Sequence, residues 1–419
     1  MIKVALKMLW IERNKAVNLC LSITASLCVS LVFMQFFVNP YLSYVTLEDI
    51  FFFTGNFIKL LLALGILIVC ACLIGYACNY HARVHSRELG LVKLAGYNPK
   101  EVLQYQLIQI MAIMLVSCVL ATLLSIIILP GTLYLIYQYL GIKDSVFYFS
   151  GQLLIQESYI VMLVLCLVIF LEIRYSIATS VVDLLKSQNV VGYHRSNHVF
   201  RIPDGVFVLA YLVGIYTMFT GDEFSPSFMI SSCIGAVGAY GMCYHVIPHL
   251  FKHWLDKYQV SGKTSVVLGD VSLFMQQAKN LIIFIMASII IMPTSVLATA
   301  GDPIAHISMH LAMVLINLLL SASLVNRFMV DEFEKKTHYL NLYKIGLTKK
   351  EVKKVSLQVT NCFYVVLWIL TSIYLLSIFL TFLISSEFEI SLAIIVLLEC
   401  LLPYLLSHLV VVVVKGRKE

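Results

Sequence analysis

Ser86–Val102 reads SRELGLVKLAGYNPKEV, a charged, glycine-broken segment set between two long apolar runs. A second segment, EFEKKTHYLNLYKIGLTKKEVKKVSL, occupies residues 332–357. With Gly96 set against Gly346, an offset of 250, Lys100, Glu101, Val102 and Leu107 fall on Lys350, Glu351, Val352 and Leu357. Five identities in those twelve positions exceed the roughly one expected from ordinary residue frequencies. The chain is therefore read as two related units, each with the same polar interruption.

The rest of the chain is built for a bilayer. Of its 419 residues 60% are hydrophobic and 12% charged, about half the charge of a soluble domain. Most of the eleven cysteines, among them Cys20, Cys28, Cys70, Cys72, Cys118, Cys166 and Cys400, lie in apolar runs and behave as small hydrophobes. No CxxC pair suggests metal or redox chemistry. The first apolar run, preceded by Lys3, Lys7, Arg13 and Lys15, is too long for a cleavable signal. At about 17–25 residues per crossing, the sequence predicts ten spans: 17–38, 57–79, 105–129, 153–171, 203–220, 226–248, 280–299, 305–325, 357–384 and 389–413. Glu172 and Arg174 can pair where the fourth span ends.

Basic residues mark the cytoplasmic side. Placing both termini inside leaves only Lys59 and Lys143 of the 29 basic residues outside. Glu48, Asp49, Asp144, Glu157, Asp222, Glu223, Asp302, Glu387 and Glu389 then lie outside, seven net negative charges once the two lysines are counted. Such a face draws cations, although the positive-inside rule alone also produces it. Both interruptions fall on the cytoplasmic side, after the second span of a four-span unit.

The predicted fold is all-α: a first four-helix unit over 1–186, cytoplasmic linkers and an inserted helix pair over 187–264, and a second unit over 265–419. The two units form parallel repeats about an axis along the membrane normal. Polar linkers fall at 187–202 and 249–264. Residues 1–17 and 265–281 are expected to form amphipathic elbows at the inner interface.

RELGLVKLAGYNPKEVL resembles the cytoplasmic signature of FtsX-like permeases, the membrane subunits of ATP-binding-cassette machines of the MacB and lipoprotein-release type. Arg87, Glu88, Leu89, Gly90, Leu91 and Gly96 carry the match. In the second copy His338 stands at the Glu88 position and Leu340 at the Gly90 position. The four-plus-two-plus-four layout is similar to BceB-type permeases, which protect Gram-positive bacteria from peptide antibiotics. Those carry a large extracellular domain between spans seven and eight, whereas here that connection is AGDPI, about residues 300–304. The resemblance implies a bacterial cell-membrane location and a partnership with two copies of an ATPase that brings ATP and Mg. Arg87, Glu88, Leu89, Gly90, Lys93, Gly96, Lys100, Lys344, Gly346, Lys350 and Glu351 are the expected ATPase-docking residues. Leu89, Val92 and Leu94 are expected to supply apolar anchors.

The local chemistry fits a short docking helix. Gly96 ends it in a left-handed conformation, Asn98 caps the next helix and Pro99 opens it. A solvated loop is the alternative. The chain lacks a phosphate loop of its own: VSGKTS at 260–265 is half of one, with Lys257 where the first glycine belongs. Neither catalytic residues nor a resident cofactor are expected, and the partners are lipid and membrane-associated proteins rather than nucleic acid.

Several residues could meet a substrate. Tyr134, Tyr137, Tyr139, Phe147, Tyr148 and Phe149 lie in the outer loop read at 130–157, as a substrate platform or as anchors in the headgroup belt. Glu399 falls mid-span in the tenth helix, where a bare carboxylate is costly, so it is protonated, paired or facing a cavity. His245, His249 and His253 recur at every fourth position, and His306 and His310 pair similarly; without a fourth donor they read as interfacial rather than metal-binding. Two functions follow from the resemblance: ATP-driven export of, or immunity to, a membrane-active peptide, and a non-transporting scaffold that reports ATPase state to a partner such as a sensor histidine kinase. A proton-coupled transporter leaning on Glu399 is a third.

Overall fold

The computed structural model describes residues 2–11, 13–39, 41–42, 55–147, 151–178, 203–220, 226–258, 262–299, 303–384 and 390–417. Every regular element among them is a helix. Among the described residues seven stretches are long and apolar enough to cross a membrane: Lys100–Leu140, Gly151–Phe170, Ile230–Tyr258, Lys279–Leu297, Pro303–Glu332, Lys349–Thr381 and Ser391–Gly416. Leu19–Gln35 and Gly65–Cys78 are shorter apolar stretches within longer helices, and Asp204–Thr220 is a shorter apolar helix. The chain is an all-α, multi-pass membrane protein. Leu115, Val119, Leu123 and Ile127 stay exposed along one helix, an arrangement that acyl chains satisfy and water does not.

The chain divides into two compact units, Met1–Arg195 and Ser196–Glu419. The first contains α1 (Ile2–Ile11), α2 (Arg13–Val38), α3 (Gly55–Val84), α4 (Ser86–Leu94), α5 (Pro99–Leu140) and α6 (Gly151–Ala178). Here α2 packs against α3 and α5, α6 covers α3, and α1 lies against α5. Ala5 is the inward face of α1, while Val4, Leu6, Trp10 and Ile11 remain exposed, as an interfacial elbow requires.

The second unit begins with α7 (Asp204–Thr220) and α8 (Pro226–Gly241), continued through a π-turn at Met242–Val246 into α9 (Ile247–Tyr258). It goes on as α10 (Lys263–Gln277), α11 (Lys279–Ala298), α12 (Pro303–Glu334), α13 (Lys336–Lys344), α14 (Lys349–Ile384) and α15 (Ile390–Arg417). The adjacency of the first unit recurs: α11 packs against α12 and α14, α15 covers α12, and α10 lies against α14. Phe274 of α10 stacks on Phe328 of α12 at 4.3 Å and meets the ring of Phe363 of α14 edge-on at 5.0 Å. All three rings are buried.

The pair α7–α8 packs on the second unit's own helices, α8 against α11 and α7 against α14. Glycine permits its close approach: a Cβ on Gly214 would stand 2.7 Å from the Gly235 Cα. Without a hydrophobic drive in lipid, such backbone contact supplies the packing energy.

Three sequence expectations change. The outer loop read at 130–157 is largely helix: α5 runs through Pro130 to Leu140, where Gly141 ends it with φ +69°. Its 42 residues span about 63 Å at 1.5 Å per residue, about twice a hydrocarbon core. The polar linker read at 249–264 is helical to Tyr258, because Leu250, Trp254 and Tyr258 make one apolar stripe at helical spacing. Glu157, counted on the acidic outer face, is buried, and Ser30 Oγ donates to its Oε1 at 2.6 Å. Asp144 is exposed; the other seven acids of that face lie outside the described residues, as does the linker 187–202.

Candidate functional site

The interruption at Ser86 is a kinked helix with a defined stop. His85 leaves helical geometry at φ −94°, ψ 10°, yet its N–H still donates to the His81 carbonyl at 3.1 Å, so α4 is levered off α3 without being released. At the far end the Gly96 N–H donates to Lys93 O at 3.1 Å and the Tyr97 N–H to Val92 O at 3.4 Å. That pair of reversed bonds requires a left-handed residue between them, and Gly96 provides it at φ +90°. Asn98 then turns extended, Pro99 opens α5, and the Asn98 N–H donates to the Glu101 carboxylate at 2.9 Å.

The second interruption repeats this bond for bond, 250 residues later. Lys335 N–H donates to Asp331 O at 2.9 Å, Gly346 N–H to Tyr343 O at 3.0 Å and Leu347 N–H to Leu342 O at 3.1 Å. Gly346 has φ +104°. The Thr348 N–H donates to Glu351 at 2.8 Å and the Glu351 N–H returns to Thr348 Oγ1 at 3.4 Å, closing the reciprocal cap. The glycine and the glutamate that survive in both copies are the two residues the backbone geometry needs.

Burial sorts the expected docking residues. Leu89 is buried with Ala5, Val102 and Tyr105, with Val92 packed against them, so it ties α4 to the elbow and to α5 and is not offered outward. Gly90 is also buried. Among the described side chains exposed at this tip are Leu91, Leu94, Tyr97 and Lys100. Lys93 is half-buried, and burial lowers the pKa of its ammonium. Glu88 is half-buried; Arg87 belongs to α4, with its side chain outside the described residues. In the second copy Leu342 turns inward, while Leu340, Lys344, Ile345 and Lys350 are exposed. Each tip thus presents apolar side chains beside lysines. Tyr97 and Ile345 are exposed beside the glycines and were not among the residues singled out in the sequence.

The second short helix, α13, which is the lever of the second unit, rests on a charged base. Lys335 Nζ lies 2.9 Å from Asp331 Oδ2, both buried, and His338 Nε2 lies 3.5 Å from Asp270 Oδ1 of the elbow α10. Burial raises the Asp270 carboxyl pKa against the pull of Lys335 and His338. From α15, Lys415 Nζ donates to Thr360 Oγ1 at 2.9 Å and stands 5.3 Å from the centre of the Phe328 ring. Lever, elbow and last helix therefore share one polar junction. The positions 250 residues before Asp331 and Lys335 hold His81 and His85, whose rings are 4.1 Å apart. Opposite charges four residues apart at the end of an apolar run were the available signal for this base.

Glu351 does more than cap. Lys263 Nζ donates to its Oε1 at 2.6 Å, joining the start of α10 to the start of α14. That hydrogen bond, with those from Thr348, lowers the carboxyl pKa to about 2. Lys263 is the lysine of VSGKTS. Gly262 precedes it at φ +78°, and among the described residues the element upstream is helix α9 rather than a strand.

Tyr134, Tyr139 and Phe147 are exposed, whereas Tyr137 is buried and its hydroxyl accepts from Asn39 Nδ2 at 2.8 Å. Tyr148 and Phe149 lie outside the described residues. Glu399 is paired: His310 Nδ1 is 2.7 Å from its Oε2. His245 and His249 both reach the Asp204 carboxylate, the former at 2.9 Å, while His253 is exposed. Among the described residues no three His, Cys, Asp or Glu side chains could hold a metal ion.

No protein-family model matches the chain, and no curated protein matches it.

Proposed function

We propose that the chain is the permease subunit of an ATP-binding-cassette transporter, driven by two copies of a separate ATPase docked on the α4 and α13 tips. The observation that carries this reading is the duplicated lever, with the same left-handed glycine stop and the same N–H-to-glutamate cap at an offset of 250. Two equivalent grips suit a machine whose two ATPase subunits close together. Each tip offers apolar side chains beside lysines, the composition of a hot-spot contact with a charged rim. In this reading the chain makes ten crossings, with both termini and both levers cytoplasmic; the three shorter apolar stretches beside the seven long ones support the count, and the placement of basic residues supports the orientation. The location is the bacterial cell membrane.

The cargo is an amphipathic, membrane-active peptide or lipid-associated molecule taken from the outer leaflet, for export or immunity. Exposed Tyr134, Tyr139 and Phe147 are its first contacts. ATP turnover in proteoliposomes holding the chain and its cognate ATPase tests this. Stimulation by an antimicrobial peptide supports transport. Turnover indifferent to peptide, with ATPase state transmitted to a sensor kinase, supports the scaffold.

A further inference from the structure

Glu399 is the end of a chain of three titratable side chains. His310 Nδ1 lies 2.7 Å from Glu399 Oε2, His310 Nε2 lies 3.3 Å from His306 Nε2, and His306 Nδ1 lies 3.1 Å from the Val296 carbonyl. The chain crosses α15, α12 and α11 in turn. His306 is 8% exposed, and the His310 and Glu399 side chains are 18% and 20% exposed, so all three are largely enclosed by protein.

The hydrogen bonds fix the proton count. A carbonyl only accepts, so His306 Nδ1 must carry a proton. If His306 is neutral, its Nε2 accepts and His310 Nε2 must donate. The last bond then needs one proton more, on His310 Nδ1 as an imidazolium facing a carboxylate, or on Glu399 facing a neutral ring. In either arrangement three bonds hold three protons and the triad is uncharged. With two protons it carries one negative charge and one bond is lost.

Among the described residues the surroundings add no further charge at His306. The groups acting on His306 are His310 and Glu399 themselves. Beside Glu399 on α15, Cys400 donates to the Met313 sulfur at 3.5 Å. Further along, the Tyr404 hydroxyl donates to Asn317 Oδ1 at 3.2 Å. From α11 come the Val296 carbonyl and Ser288, which bonds Asn317 at 2.8 Å. Asp302, Glu387 and Glu389, near the starts of α12 and α15, lie outside the described residues.

We propose that Glu399, His310 and His306 form a proton-binding site in the membrane-spanning part of the second unit, whose ligand is a single proton. Uptake adds one proton from water at Glu399 to the two-proton, singly negative triad, forming one new N–H or O–H bond; release returns it. Loading completes the tie between α15, α12 and α11, and α12 runs on from His306 to the base of the second lever. The site stands on the geometry of this unit and not on ATPase docking.

Nitrogen-15 NMR of histidine-labelled full chain in nanodiscs tests it, titrated from about pH 5 to about pH 8, where histidines change charge. His306→Gln and His310→Gln assign the two rings. The expected result is that both rings respond in one shared titration, which is lost in Glu399→Gln while the His249 and His253 signals stay as in wild type. Separate titrations of His306 and His310, or a shared one unchanged in Glu399→Gln, would overturn the proposal. Loss of the His249 and His253 signals as well would assign Glu399 to folding and overturn it too.

Discussion

Lys263 Nζ lies 2.6 Å from Glu351 Oε1, so the carboxylate that caps α14 also holds the elbow α10. Removing the cap partner by Thr348→Ala is expected to cost about 0.5–2 kcal/mol, read as a lower Tm of the purified chain. The tie itself is tested by pH. The folded pKa of Glu351, about 2, lies below the ordinary carboxylate value of about 4.3, so its contribution is complete above the ordinary value and is lost as pH falls through about 2. Wild type should therefore outlast Glu351→Gln at neutral pH, with the difference closing as acid melts approach pH 2.

At Gly96 a Cβ would meet nothing within 4 Å, yet φ is +90°. Gly96→Ala thus isolates backbone strain from packing and is expected to cost about 1–2 kcal/mol. Hydrogen exchange should report it as faster amide exchange at Tyr97, whose N–H closes the helix stop. Gly96→Asn should be milder, because asparagine tolerates left-handed backbone.

Lys335 stands buried against Asp331, with Asp270 nearby. Lys335→Ala leaves uncompensated buried acid and is expected to destabilise the second unit by about 3–5 kcal/mol. Replacing both partners, Asp331→Leu with Lys335→Met, should be far milder. Thermal unfolding in detergent distinguishes the two.

The α7–α8 contact rests on Gly214 against Gly235. Gly214→Val places a side chain where even a Cβ stands 2.7 Å from backbone, so the helices must separate. The expected outcome is a lower Tm and loss of the hydrogen bond in which the Tyr211 hydroxyl donates to the Leu370 carbonyl at 2.7 Å, seen as faster tyrosine hydroxyl exchange.

The helical fold, the duplicated interruption and its turn chemistry were legible because each rests on local rules. Apolar run length marks membrane helices, and a glycine followed by Asn-Pro marks a stop and restart. The end of α5 was not legible, since Pro130 reads as a breaker until neighbouring helices support the turn around it. Nor was the inward face of Leu89 readable, because its partners Ala5 and Tyr105 lie far away in sequence. The pairing of Glu399 with His310 crosses 89 residues and depends on how α12 and α15 pack. Short-range pattern carries periodicity and capping; which face turns inward is decided by tertiary contact.

The most direct test is copurification of a cognate ATP-binding-cassette ATPase with the full chain, comparing wild type with a Leu94→Asp, Ile345→Asp double variant. Both side chains are exposed, so the chain should unfold at the wild-type temperature. Docking through these tips predicts that wild type brings the ATPase down and that the variant, equally stable, does not. Equal recovery of the ATPase with both proteins, or none with wild type, would contradict it.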